Sequence, residues 1–414
     1  MSYSPRPLFD TLENLISQVD LTQIKTAYPE DIALASDFLC QYAGNTYTFD
    51  AYRRELERLL QWAHGLERTS ILVLSRQDME NYIHFCLAPP ASWIALKRVP
   101  RFIDKDGERQ PNPAWRPFVA SVSKIAHKAG KTPQKETYQL SQKAIREIFT
   151  VLNSFYQYLL LQEKITQNPI ALIKQKNKFI QKRQGASPVM RLSEKQWSAC
   201  LAVAEGMAHQ EPDRHERTLF ILVTMYLMYL RISELAADER WMPQMNHFYQ
   251  DSEERWWFKT VGKGNKFREI AVSDEMLTAL KRYRLALGFS ALPQPNDQRP
   301  LLTKEGSQQP LTSTRQIRRL LQLCFDGAEA LLRSQQAYEE ADNLTAATVH
   351  WLRHTGISDD INKRGRPIAH VRDDAGHSST LITDRYNDIE LIERHESAKE
   401  KGVLPPRKEE KTNA

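Results

Sequence analysis

Cysteine is scarce in this chain of 414 residues: Cys40, Cys86, Cys200 and Cys324 lie far apart, and none forms a CxxC pair. That spacing argues against a disulfide framework or a cysteine zinc site and fits reduced thiols in a cytosolic protein. Long apolar runs are lacking too. The longest, residues 219–230, has twelve residues with Thr224 inside it; it is too short to span a bilayer and reads as a buried core helix. The opening MSYSPRPLFD has no basic segment leading into an apolar stretch, so no signal peptide is expected. A P-loop is excluded, because the glycine-lysine pair at Gly262-Lys263 lacks the GxxxxGK(S/T) frame. No internal repeat or low-complexity tract is present.

What is there begins with charge. The formal net charge is +6, which favours a polyanionic partner, and apolar residues make up 41%, enough for real cores. Basic residues cluster in KQKNKFIQKR at 174–183, which has Lys174, Lys176, Lys178, Lys182 and Arg183 and no acidic residue. Followed by Gly185-Ala186-Ser187-Pro188, this run reads as a linker over 174–187 between two patterned regions. Before it, after an extension over 1–27, a helical domain is expected over 28–173. There Tyr52, Leu56, Leu59 and Ala63 recur at helical spacing over 48–64, with Thr48 as N-cap. Arg53, Arg54 and Arg58 occupy the other face, either as a solvated face or as DNA contacts. A second helix is expected over 141–162, with Ile145, Ile148, Leu152, Phe155 and Leu159 as its apolar stripe. Six prolines and six basic residues over 89–117 read as a long basic loop inserted at 89–118. A catalytic domain is expected over 188–395 and a tail over 396–414.

The second half holds residues suited to phosphate chemistry. Arg231, in LRISEL at the end of the apolar helix, could fork two donors onto phosphate oxygens; alone, it reads as an arginine paired with Glu234. Lys263 sits in a turn between strands expected at 256–261 and 267–272, where it could protonate a leaving oxygen or merely face solvent. In His350-Trp351-Leu352-Arg353-His354, a helix would put His350 and Arg353 on one face. The same segment offers His350 and His354 as an i, i+4 metal pair, but Trp351 stands where HExxH requires glutamate. Gly376-His377-Ser378-Ser379 is followed nine residues after His377 by Tyr386, a hydroxyl nucleophile or a packing aromatic.

In this order the pieces resemble the tyrosine recombinase (phage integrase) family, whose signature is Arg, Lys, His-x-x-Arg, His and Tyr. The matching motifs are LRISEL at 230–235, GKGNKFR at 262–268, HWLRHTG at 350–356 and AGHSSTLITDRY at 375–386. Tyr229 stands where the family commonly has glycine, and Ala375 replaces the usual leucine before Gly376-His377. The resemblance implies an all-α, SAM-like core-binding domain joined to a mixed α/β, mainly helical catalytic domain with a small antiparallel sheet, together clamping duplex DNA.

It further implies that Tyr386 attacks the phosphodiester and leaves a 3′-phosphotyrosine and a free 5′-hydroxyl. Arg231, Arg353 and His377 would stabilise the charged transition state, His350 would take the tyrosine proton, and Lys263 would protonate the 5′-oxygen. Neither metal nor another cofactor is required, because the covalent link conserves bond energy. The expected partners are double-stranded recombination sites, further copies of the chain in a tetramer on two sites, and companion recombinases or accessory factors; no membrane is expected. A helix over 388–401 would dock onto a neighbouring protomer. The rival readings are a type IB topoisomerase, a catalytically silent DNA-binding protein, and a metallohydrolase using His350, His354 and His377. The role implied for Lys263 is separable from the rest. Lys263→Ala should slow cleavage of ordinary DNA far more than cleavage of DNA carrying a 5′-bridging phosphorothiolate, whose sulfur leaves unprotonated. Equal slowing on both substrates removes Lys263 from the general-acid role.

Overall fold

The apolar stripe expected over 141–162 forms the helix Gln142–Leu161. Ser141 opens it by accepting a hydrogen bond from Ala144 N at 3.1 Å. Ile145, Ile148, Leu152, Phe155 and Leu159 are all buried, each contributing about 1.5–3 kcal/mol by leaving water. A Schellman closure ends the helix: Glu163 N donates to Leu160 O at 3.1 Å and Lys164 N to Leu159 O at 3.0 Å. Glu163 takes the left-handed conformation usual for glycine there, with φ of 55°. Asn168 then caps the next helix, Pro169–Lys174, accepting from Ile170 N at 3.0 Å.

This computed structural model describes residues 3–17, 26–174, 179–180, 190–262, 264–384, 386, 395 and 398–399. Lys176, Lys178, Lys182 and Arg183, all but residues 395 and 398–399 of the helix expected over 388–401, and the end of the tail lie outside them, as does the Lys174 side chain. The chain divides into two compact units, residues 1–186 and 187–414.

In the first unit the helix read over 48–64 is Thr46–Trp62, and its N-cap is Asn45, which accepts from Thr48 N at 3.2 Å. Thr48 is therefore the capped residue, not the cap. The arginine face of this helix is not solvated. Arg53 is only 9% exposed, pairs with Asp50 and donates to Asp10 O. Arg54 bonds Glu55 at 2.7 Å and Glu147 at 2.8 Å. Arg58 is buried over the Phe118 ring and donates to Pro117 O at 2.8 and 2.9 Å. The N-terminal extension covers part of the same helix: Phe9 and Leu12 are buried, and Arg6 N donates to Gln61 at 2.9 Å.

The proline-rich insertion, read as loop, contains strands. Ile94–Ala95 pairs in parallel with Phe118–Val119, and Phe102–Lys105 pairs antiparallel with Glu108–Pro111. Its anchors, Trp93, Ile94, Trp115 and Phe118, are buried. Isolated apolar residues among prolines carry no periodicity, so only tertiary packing reveals that they share a core.

The second unit is mainly helical around a three-stranded antiparallel sheet of Phe248–Gln250, Trp256–Val261 and Phe267–Ala271. Ser193 and Gln196 form a capping box at the start of helix Glu194–Gln210. The apolar run read as a core helix over 219–230 lies in helix Pro212–Leu227, which stops short of Tyr229. Tyr229 has φ of 52°, a conformation L-residues rarely adopt. Its ring is 1% exposed, and its hydroxyl donates to Asp360 and accepts from Arg366 at 2.9 Å. Those contacts compensate the strain that a glycine would have avoided.

Helix Val349–Asn362 crosses helix Pro212–Leu227 closely at Gly356, where a Cβ would lie 1.9 Å from Tyr226 O. Gly206, in helix Glu194–Gln210, faces open space. Gly356→Ala should therefore cost about 1–3 kcal/mol and lower the melting temperature by several degrees. Gly206→Ala should raise stability by about 0.5–1 kcal/mol. Chemical denaturation of both variants checks the contrast; equal effects would mean that the helix crossing tolerates a methyl group.

Candidate active site

Glu234 is the hub on which the site is built. Its side chain is 2% exposed and follows the turn at Arg231 in the short helix Ile232–Leu235. One carboxylate oxygen accepts from Arg231 N at 2.8 Å, and the other from Arg231 Nη1 at 3.0 Å. Arg268, on strand Phe267–Ala271, grips the same carboxylate with both terminal nitrogens, at 2.7 and 2.8 Å. Burial alone would raise the Glu234 pKa; the Arg268 and Arg231 contacts outweigh it and hold the carboxyl below its ordinary value. Arg268 Nε also donates to Asp374 O at 3.0 Å, fastening the sheet to helix Ile368–Ala375.

Arg353 is buried, with 1% exposure. It donates to the carbonyls of Tyr229 and Ala375, and its Nη2 lies 3.0 Å from His377 Nε2. Burial first, then the nearby Arg231 charge, lowers its pKa to about 9. A guanidinium nitrogen only donates, so His377 Nε2 accepts and the ring proton sits on Nδ1, which donates to Thr383 Oγ1 at 3.0 Å. Burial and the charge of Arg353 lower the His377 pKa to about 4, so the ring is neutral at physiological pH. Gly376 precedes it with φ of 62°, ending helix Ile368–Ala375. Its carbonyl is 3.4 Å from Arg231 Nη2, so Arg231, Arg353 and His377 share one locality.

Tyr386 packs with Tyr229, Ile357, Val371 and Ala375 in a small core of its own and is 5% exposed. Asn362 Nδ2 holds its carbonyl at 2.8 Å. Its ring stacks on His377, with centroids 5.9 Å apart, and its hydroxyl hydrogen-bonds His354 Nδ1. His350 lies one helical turn away, its ring centroid 4.3 Å from that of His354. Desolvation, then the charges of Arg353 and Arg231, lower the His350 pKa.

Five of the six residues singled out for chemistry thus gather at one end of the unit. The sixth, Lys263, lies outside the described residues. Its neighbour Gly262 borders the cluster: a Cβ there would lie 3.3 Å from Glu234 and 3.5 Å from Arg231. Sequence reading weighed His354 only as a metal ligand, and it did not single out Arg268 or the hub role of Glu234. The signals were present, since His354 is four residues after His350 and Arg268 closes the GKGNKFR motif.

His377, part of the set His350, His354 and His377, has both ring nitrogens engaged, Nε2 with Arg353 and Nδ1 with Thr383. Among the described residues no group of three or more His, Cys, Asp or Glu could hold a metal ion. No described helix is long and apolar enough to cross a membrane.

No protein-family model matches this chain, and no curated protein does. Solved structures do match. The XerH site-specific recombinase bound to palindromic difH substrate, in a post-cleavage complex, is 13% identical with a TM-score of 0.52, and the match covers 96% of this chain and 99% of that one. A lambda integrase dimer bound to a COC′ core site is 11% identical, covering 89% of this chain and 100% of that one, with a TM-score of 0.49. The Tn1549 transposon integrase in complex with circular intermediate DNA is 15% identical, covering 88% and 97%, with a TM-score of 0.48. At such identities the likeness is one of fold alone: the chain shares the mainly helical fold with small sheets of the XerH site-specific recombinase.

The buried neutral histidines set a pH dependence. The pKa values of His377 and His247 fall from 6.5 to about 4 on folding. Their contribution to stability is therefore full above pH 6.5 and is lost as pH falls toward about 4, because the unfolded chain takes up protons first. Melting temperature should be flat above neutrality and decline through that window, and His377→Gln should make the decline shallower. A decline of unchanged slope in the variant would show that His377 is not buried neutral.

Proposed function

We propose that this chain is a site-specific DNA recombinase that cuts and rejoins strands through a 3′-phosphotyrosine on Tyr386. The observation that carries the reading is the juxtaposition of a tyrosine hydroxyl bonded to an imidazole with two guanidinium groups, those of Arg231 and Arg353. A phosphodiester in this locality would meet Arg231, whose side chain is 25% exposed, and those donors of Arg353 not committed to protein carbonyls. Charge gathers on the equatorial oxygens as the phosphorus becomes pentavalent, and fixed guanidinium donors stabilise that state more than the ground state. His377 becomes a donor to the phosphate in its other tautomer, with the proton on Nε2 and the Thr383 hydroxyl donating to Nδ1.

The phenol has an ordinary pKa of about 10 and needs a base. His354 in its Nδ1-unprotonated form receives that proton directly, and His350, the base expected from the family resemblance, acts as its neighbour in this scheme. Lys263, which follows Gly262 in the sequence, protonates the 5′-oxygen. Attack by Tyr386 Oη forms the phosphorus–oxygen bond as the bond to the 5′-oxygen breaks, and the reverse step by a new 5′-hydroxyl restores the diester. The exchange of four strands in two rounds makes a tetramer on two sites the working unit.

Tyr386→Phe tests the reading. The variant should bind duplex DNA with unchanged affinity and form no protease-resistant adduct on nicked suicide substrates drawn from DNA flanking the gene. An adduct in the phenylalanine variant would place the nucleophile elsewhere. Relaxation of plasmid DNA without exchange of partners would favour a topoisomerase.

A further inference from the structure

Away from the candidate active site, the first unit contains a cavity of about 540 Å³ bordered by helix Thr46–Trp62, the proline-rich insertion and the start of helix Gln142–Leu161. Its lining is unusually cationic. The three carboxylates in the wall, Asp50, Glu55 and Glu147, are already matched by Arg53, Arg54 and Arg58. Arg101 also lines it and pairs with Glu57. Three further cations in the same wall, Lys97, Arg98 and Arg116, have no carboxylate partner among the described residues. Arg116 donates only to the carbonyls of Pro113 and Trp115, at 2.7 and 2.6 Å.

Two lining residues also carry buried polar atoms without partners. Arg53 Nε has none, although the residue is nine-tenths buried, and the hydroxyl of Tyr138 has none. Buried donors in native proteins are nearly always satisfied, so two orphans bordering one cavity mark the absence of an acceptor. Burial, then the charge of the neighbouring Arg53, lowers the Arg101 pKa to about 9. Small-molecule pockets are mostly apolar; this one is lined by forked donors of the type that match phosphate oxygens.

We propose that this cavity binds phosphate groups, supplied by the DNA backbone or by a free phosphorylated molecule. The DNA source rests on the recombinase reading; the site itself does not. Lys97 and Arg98, exposed and unpaired, are the residues to change, because their loss breaks no internal ion pair. In the full chain, Lys97→Gln/Arg98→Gln should lower the log–log salt slope of duplex binding by about 1.8, at about 0.9 per lost phosphate contact. Lys164→Gln, an exposed lysine paired with Glu30 and not in the lining, should leave the slope unchanged.

Calorimetry with inorganic pyrophosphate forms the second arm. A fall in slope confined to the cavity variant assigns the occupant to DNA. An unchanged slope, with pyrophosphate binding in the wild type that disappears in the variant, assigns it to a free phosphorylated molecule. No change in either, or an equal fall in slope for Lys164→Gln, overturns the site. Arg116→Gln is the second variant should the first fail to fold, as judged by circular dichroism. The two readings fail separately. An adduct on Tyr386 with neither effect removes the cavity alone, and a changed slope without an adduct removes the recombinase chemistry alone.

Discussion

A positive charge buried without a carboxylate bonded to it organises the second unit. Arg353 sits in the interior with its donors aimed at the carbonyls of Tyr229 and Ala375 and at His377. Burying an ion costs several kcal/mol unless its surroundings compensate. Here the compensation comes from carbonyl dipoles and from the field of the Glu234 carboxylate, and it is incomplete, because the pKa falls to about 9. An anion entering beside Arg353 would complete it. The backbone bends to supply those carbonyls: Tyr229 adopts a left-handed conformation just before its carbonyl meets Arg353, and left-handed Gly376 follows directly after Ala375.

Strain of this kind persists only where neighbours over-determine it. The Tyr229 hydroxyl is locked between Asp360 and Arg366, and Arg366 continues to Asp374 at 2.7 Å. Asp374 in turn touches the sheet through Ala271 N at 3.3 Å, while its own carbonyl receives Arg268. Arg268 closes the circuit on Glu234, which holds Arg231. Three helices, a strand and two turns thereby position one cluster of donors. A change at Asp360 or Arg366, neither of which lies among the residues proposed for chemistry, would be felt at Arg353 through Tyr229.

The first unit uses arginine differently. Along helix Thr46–Trp62 the guanidinium groups hold the protein together: Arg58 ties the helix to the insertion through Pro117 O, and Arg53 ties it to the N-terminal segment through Asp10 O. Arg53 and Arg54, expected from the sequence as DNA contacts, direct donors to internal partners. Three cations without a carboxylate partner among the described residues, Lys97, Arg98 and Arg116, belong instead to the insertion.

Linear patterns exposed much of this. The stripe of helix Gln142–Leu161, the hairpin at 256–271 and the four motifs carrying Arg231, Lys263, His350, Arg353, His377 and Tyr386 are local signals, because side-chain period and residue type can be read without knowing what lies opposite. The sequence by itself therefore determined which groups are available for phosphate chemistry and the order in which they occur. It did not determine their partners. That the tyrosine hydroxyl meets His354 and not His350, that Glu234 joins two arginines 37 residues apart, and that an arginine face turns inward were decided only by tertiary structure. A hydrogen bond depends on distance and angle within a few tenths of an ångström, and those are fixed by packing between segments far apart in the chain.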